Sequence, residues 1–192
     1  EALSERRDQL AEEIRYHKFV QWVFDEQWQA MADYAAEKDV KLVGDLPIYV
    51  ALDSADVWSA PDVFRLDEHN QPTEVAGVPP NPGDDGQRWG NPVYDWDTIR
   101  ENDFAWWRQR FDRLFDQVDI ARIDHFKGFD EFWAIPAEAD SPAAGQWREG
   151  PGREFFDRMR DHLGELPFLV EDLGFLDERI ASLRDHYDFP GM

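Results

Sequence analysis

Apolar side chains return along this chain in two rhythms. Over residues 8–38, Leu10, Ile14, His17, Val20, Phe24, Trp28, Met31 and Ala35 recur every three to four positions, the spacing of one face of an α-helix. The pattern predicts one long amphipathic helix with this stripe in the core and His17 as a packed histidine. The same rhythm predicts a helix over 103–117 (Phe104, Trp107, Phe111, Leu114, Phe115), with Asn102 or Asp103 as N-cap. Further helices are predicted over 152–163 (Phe155, Phe156, Met159, Leu163) and 177–187 (Ile180, Leu183, Tyr187). Three short, continuous apolar runs lie between them and read as buried strands. They are Val40 to Val43, closed by Gly44-Asp45-Leu46-Pro47; the run ending at Asp124; and the run after Pro167 ending at Glu171.

Helices alternating with uniformly apolar strands imply an α/β fold with parallel strands and covering helices. A doubly wound sheet and a (β/α) barrel both fit. No Gly-rich phosphate loop follows a strand, which disfavours nucleotide binding. Acids ending three successive strands favour a partial (β/α)8 TIM barrel, because such side chains collect at the C-terminal rim. About three of its eight strand-helix units are present, with a long β-to-α loop insertion. Residues 46–100 and 125–150 show little regular periodicity and read as loops. Trp58, Trp89, Tyr94 and Trp96 make the first a functional loop rather than a disordered one. No repeat or linker divides the chain, so residues 1–192 are expected to be one part of a single catalytic domain. The absence of an initiator Met and the final Phe189-Pro190-Gly191-Met192 suggest a piece of a longer protein.

Composition narrows the partners. A formal net charge of −22 argues against nucleic acid, whose phosphates need a basic face. No apolar run approaches a membrane span, and the N-terminus is no signal peptide. Zero cysteines exclude disulfides and thiolate metal sites and fit a cytoplasmic protein. Lysine is confined to Lys18, Lys38, Lys41 and Lys127 while aspartate and arginine are plentiful. So large an excess of like charge destabilises a compact state unless salt screens it, and adaptation to a halophilic host is the expected reason.

The candidate chemistry lies at the three strand ends. In Arg122-Ile123-Asp124-His125 the cation and the carboxylate, two residues apart, project to one side of a strand. Taken alone, such a pair is ordinarily a buried ion pair. Joined by Asp45 and Glu171 and rimmed by aromatics, it reads as a reaction site. Adjacent strands lie about 4.8 Å apart, which suits retaining glycosidases, whose carboxyl groups stand about 5–5.5 Å apart. Arg122 should keep Asp124 ionised, as a nucleophile requires. Glu171, facing that charge, should hold its proton and act as general acid. Asp172 points the other way and reads as structural, binding loop backbone. A rival reading has Asp45, Asp124 and Glu171 bind a divalent metal in an enolase-like barrel. Arg122 would repel that metal, and Trp-rich loops suit sugar faces better.

Longer strings carry a resemblance. Gly44-Asp45-Leu46-Pro47-Ile48-Tyr49-Val50-Ala51 with Asp53-Ser54-Ala55-Asp56-Val57-Trp58, then Val75-Ala76-Gly77-Val78-Pro79-Pro80, Gly86-Gln87-Arg88-Trp89-Gly90-Asn91-Pro92, Arg122-Ile123-Asp124-His125-Phe126 and Glu171-Asp172-Leu173-Gly174 resemble the 4-α-glucanotransferase family (amylomaltase, or disproportionating enzyme). The resemblance runs over nearly the whole chain. It implies a (β/α)8 barrel and a retaining transfer of α-1,4-glucan segments between maltooligosaccharides, with glucose as an acceptor and no cofactor or metal. It implies Asp124 as nucleophile, Glu171 as general acid/base, Arg122 as support for the nucleophile and His125 as a donor-site sugar contact. It places Asp45 near the bound sugar and Gln87, Trp89 and Asn91 in a loop over the cleft. The family also needs a later Asp in a His-Asp pair, expected from the rest of the barrel. Asp161-His162 and Asp185-His186 have the reverse order and sit on predicted helices. Between Pro80 and Gly86 the chain reads Asn81-Pro82-Gly83-Asp84-Asp85, where the family usually carries an aromatic. Alternatives are an α-glucan hydrolase of the α-amylase group and a glucan-binding remnant without turnover.

Overall fold

The computed structural model describes residues 2–172 and 177–192. The chain runs α1 (Ala2–Gln9), α2 (Ala11–Glu37), β1 (Val43–Leu46), α3 (Ala55–Ser59), β2 (Glu74–Val78), β3 (Gln87–Pro92) and α4 (Trp96–Glu101). It continues with α5 (Ala105–Phe115), β4 (Ile120–Ile123), β5 (Glu131–Pro136), β6 (Gln146–Glu149), α6 (Gly152–Leu163), β7 (Phe168–Val170) and α7 (Glu178–His186).

Asp119 clips the first two parallel strands together at their entry. Its carboxylate accepts the Leu42 N–H at 2.8 Å and pairs with Lys41 Nζ at 3.2 Å. Beyond the clip, β1, β4 and β7 form a parallel sheet in that order. Asp45 is in register with Arg122, and Ile123 with Val170. Pro190 and Met192 exchange backbone hydrogen bonds with Val170 on the far side of β7, so only the outer edge of β1 is bare among the described residues. One face of the sheet packs on α5 and α6. Trp107 and Phe111, four residues apart on α5, are fully buried. Trp107 meets Phe155 of α6 at 5.2 Å, and Phe111 stacks on Phe168 of β7 at 5.0 Å. Each such burial contributes about 2–3 kcal/mol.

The two segments read as loops are instead folded against each other. They supply an antiparallel sheet of order β3-β2-β5-β6. Gly77 permits its tightest approach, since a Cβ there would lie 2.2 Å from the Gln87 carbonyl oxygen. Glu74, at 9 % exposure, joins the two segments. It accepts from Arg65 at 3.0 Å and from Arg148 of β6 at 2.7 Å. Burial alone would raise its pKa, but the two arginines hold it below the usual carboxylate range. Irregular periodicity concealed these strands because they alternate with tight turns. One is closed by reciprocal Asn81–Asp84 backbone bonds of 2.9 Å, with Gly83 left-handed at φ 91.

Other boundaries also move. β1 begins at Val43 rather than Val40, so Asp45 lies inside the strand. The N-cap of α5 is Phe104, not Asn102 or Asp103; Asp103 and Phe104 are both left-handed (φ 55 and 53) because Asn102 already closes α4. The long first helix is broken at Leu10 and starts at Ala2. Its stripe is not core within this chain: Leu10, Val20, Phe24 and Met31 are exposed, His17 is exposed, and Ala35 alone is buried. Length is the reason. The 27 residues of α2 span about 40 Å, against about 13 Å for a four-residue strand. Contact starts at Asp25, which pairs with Arg113 of α5, and continues at Trp28, whose indole N–H donates to the Gln117 carbonyl at 2.7 Å.

A bare β1 edge, an uncovered apolar face on α2 and a charge of −22 act together. Expressed by itself, the 192-residue chain is expected to self-associate or stay molten in low-salt buffer, and molar KCl to reduce this without abolishing it. Light scattering and amide dispersion check the outcome. A low-salt monomer with sharp, dispersed resonances contradicts it.

Candidate active site

The register carries three acids to one guanidinium. Asp45 and Arg122 are lateral neighbours, and their side chains form a short ion pair. Asp124, two residues on, stands on the same face with Oδ1 3.0 Å from Arg122 Nη1. Continuing the β4–β7 register puts Glu171 beside Asp124, with Oε2 3.4 Å from Arg122 Nη2. Arg122 therefore touches a carboxylate from each of three neighbouring strands.

The chain turns sharply after Asp124. His125 adopts φ 47, ψ 53, a left-handed conformation uncommon outside glycine. The turn aims the His125 backbone N–H at Glu171 Oε2, 2.7 Å away. Gly128 makes room for the ring above it, since a Cβ there would lie 3.0 Å from His125 Cδ2 and 2.6 Å from Ile48 Cδ1. The His125 ring then meets Trp89 edge to face at 4.9 Å. Trp89 stands on β3 between Gln87 and Asn91, where the pairing with β2 slips in register. Gln87 Oε1 accepts the Trp89 indole N–H at 2.8 Å. Tyr49 supports Trp89 from behind, with ring centres 6.2 Å apart, and stacks on buried Tyr94 at 5.7 Å. The Tyr94 hydroxyl donates to the Ile48 carbonyl at 2.6 Å.

Two effects set the protonation of the acids. Burial, then hydrogen bonding and charge from Glu171, raise the Asp124 pKa above the usual carboxylate range despite Arg122. Burial also works to raise Glu171, but the His125 N–H, Asp124 and Arg122 outweigh it and leave its pKa lowered. Both directions run against the expectation of a lowered Asp124 and a raised Glu171. For Asp124 the cause is burial; for Glu171 it is the His125 amide, which favours charge there and whose direction no strand-pattern argument anticipates. Each acid shifts the titration of the other, so the two behave as one unit. Burial pushes His125 down to about 4, so its ring is neutral at pH 7.

A family model described as glycoside hydrolase 77, 4-alpha-glucanotransferase, matches residues 1–192. The chain belongs to the 4-alpha-glucanotransferase family. It is 43 % identical over 192 residues to the 4-alpha-glucanotransferase of Thermus thermophilus, covering 100 % of this chain and 38 % of that one. The Synechocystis sp. enzyme is 46 % identical over 195 residues, with 100 % and 39 % covered. An amylomaltase from Streptococcus agalactiae, solved in complex with acarbose, superposes with a TM-score of 0.95 at 43 % identity, over 99 % of this chain and 39 % of that one. An amylomaltase from Corynebacterium glutamicum shares the fold at a TM-score of 0.81 and 22 % identity, over 96 % and 26 %. The chain thus spans about two fifths of the length of these two 4-alpha-glucanotransferases.

Of the residues picked from sequence in this family member, Asp45, Arg122, Asp124, His125 and Glu171 converge. Trp89 joins through the His125 ring and Gln87 through Trp89. Asn91 is half-buried farther along β3, where the pairing with β2 slips in register, and no contact joins it to the cluster among the described residues. Asp172 points away as expected, and among the described residues it binds Arg184 of α7 at 2.6 Å. Leu173 and Gly174 of the quoted motif lie outside the described residues. Tyr49 and Gly128 went unsingled by sequence reasoning. Tyr49 sits inside a quoted string, whereas nothing local marks Gly128.

His125 gives a pH-dependent stability of defined sign. Its pKa falls on folding, so the contribution is complete above about pH 6.5 and is lost as pH falls toward 4. By pH 4.5 the loss is roughly 2–3 kcal/mol at 1.36 kcal/mol per pH unit. His125→Asn, which tolerates the left-handed backbone, is expected to flatten this part of the profile. Denaturant midpoints of both proteins at pH 7 and 4.5 check it.

Proposed function

We propose that this chain carries the nucleophile and the general acid/base of a 4-α-glucanotransferase. The enzyme moves α-1,4-glucan segments between maltooligosaccharides, with glucose among its acceptors, by a retaining double displacement in the cytoplasm. In this reading the 192 residues form the central part of a (β/α)8 barrel. The observation that carries it is Arg122 among Asp45, Asp124 and Glu171, with Trp89 and His125 beside them.

Asp124 attacks the anomeric carbon of the donor. The bond to the leaving 4-oxygen breaks, a glucosyl ester forms on Asp124, and Glu171 gives its proton to that oxygen. The shortened chain departs. An acceptor 4-hydroxyl then attacks the same carbon and releases Asp124, and its proton returns to Glu171. The pair must hold one proton at the start. Burial of two acids around a single arginine supports that count, since their repulsion disfavours double ionisation. Whether Asp124 or Glu171 carries the proton is a tautomer of one charge state. A sugar oxygen near Glu171 selects the productive form by accepting from it. Arg122 stabilises the Asp124 carboxylate as it is released. Neutral His125 serves as hydrogen-bond partner to a sugar hydroxyl, and Trp89 offers an apolar face to the ring. Gln87 and Asn91 line the same covering strand. A third carboxylate, from the remainder of the barrel, completes the site.

A 5-fluoro glycosyl donor incubated with the full-length protein is expected to leave an adduct on Asp124, mapped by peptide mass spectrometry. Label on another residue overturns the assignment. Arg122 occupies the place a cation would take between the acids, so no metal is required. Maltotriose disproportionation is expected to survive dialysis against chelator; loss restored by Mg²⁺ favours the metal-dependent alternative.

A further inference from the structure

The segment between β1 and β3 holds a groove that the carboxylate cluster does not use. Trp58, on α3, is 77 % exposed, more than any other large apolar side chain among the described residues. It is held out rather than left loose. Its neighbour Val57 is buried, and Ser54 Oγ caps α3 by accepting the Val57 N–H at 3.3 Å. Trp58 lines a cavity of about 450 Å³ together with Asn70 and Gln71. A second cavity, of about 460 Å³, lies beyond it over Thr98 and Asn102. The two share Pro61 and Asn70. Each falls within the range of small-molecule sites, roughly 300–1,000 Å³.

The groove is preformed at its junction. Asn70 is left-handed at φ 57. The loop around it is pinned by Asp67, whose Oδ1 accepts the His69 and Gln71 N–H groups at 2.8 Å each. Its chemistry selects a neutral, hydroxyl-rich chain. An indole face suits the C–H side of a pyranose ring, while carboxamides and a threonine hydroxyl both donate to and accept from sugar hydroxyls. Asp62 and Asp67 on the second cavity accept from hydroxyls and repel anions. An aromatic row sets the position of the groove relative to the cleft. Phe64, on the groove wall, stacks on Tyr94 at 5.2 Å, Tyr94 stacks on Tyr49 at 5.7 Å, and Tyr49 meets Trp89 at 6.2 Å.

We propose that this groove is an accessory binding site for an α-glucan chain, gripping a segment remote from the reacting bond. It rests on the glucan reading above. Remote contacts strengthen the capture of long chains over short ones.

Affinity electrophoresis of the full-length protein through gels containing glycogen tests this directly. Wild type is expected to be retarded, and Trp58→Ala to bind glycogen about tenfold more weakly, as for loss of one aromatic contact. Gln71→Ala should weaken it in the same direction, Trp58→Tyr should recover most of the binding, and Trp22→Ala on α2 should match wild type. In kinetics, the kcat/KM ratio for amylose over maltotriose should fall by a similar factor in Trp58→Ala. Hydroxyl-radical footprinting should show Trp58 accessible in the free protein and protected by maltoheptaose. Retardation equal to wild type in both Trp58→Ala and Gln71→Ala overturns the groove, as does Trp58 protected before any glucan is added. Failure of the wild type to disproportionate maltotriose overturns the transferase reading alone, because glycogen retardation reads the groove without turnover.

Discussion

One guanidinium organises this molecule. Arg122 is the shared counter-ion of Asp45, Asp124 and Glu171, each delivered by a different strand of the parallel sheet. Without a cation between them, three acids at the end of a partly buried sheet would repel one another and resist desolvation. With it, the cluster still carries more negative than positive charge. That residual excess adds to burial in raising the Asp124 pKa, while the His125 amide and Arg122 keep that of Glu171 lowered. The same contact makes the register consequential, because shifting β4 by one residue would turn Arg122 and Asp124 to the opposite face.

The remainder of the fold presents apolar surface and hydrogen-bond donors to that cluster. His125 turns out of β4 in a left-handed conformation, at a cost of order 1–2 kcal/mol. In return its amide binds Glu171 and its ring reaches Trp89. The second sheet holds Trp89 in place. It is assembled from two connections far apart in sequence and joined through Glu74, which binds Arg65 in one and Arg148 in the other. Tyr49, from the segment that follows β1, backs Trp89, and Tyr94, just beyond β3, stacks on Tyr49 in turn. The site is therefore aromatic on one side and charged on the other. In the reading proposed above, the aromatic side faces sugar rings and the charged side the reacting carbon.

Sequence alone determined the elements whose physics is local. Three uniformly apolar runs ending in acids, alternating with helical stripes, identified the parallel strands, and α6 falls where its stripe predicts. Two-residue spacing put Arg122 and Asp124 on one face, as observed at 3.0 Å. The strings around Asp45, Trp89, Asp124 and Glu171 carried the family resemblance that the comparisons bear out. Tertiary structure decided what depends on partners distant in the chain. The four-stranded sheet lay hidden because its strands are short, bulged and separated by turns, so their pairing energy comes from neighbours up to some sixty residues away. The apolar stripe of α2 correctly indicated a helix but not its burial, since periodicity says which way a face points and not what covers it. The directions in which Asp124 and Glu171 shift run against the expectation from charge alone. They turn on burial and on one backbone N–H, and both are properties of the folded chain.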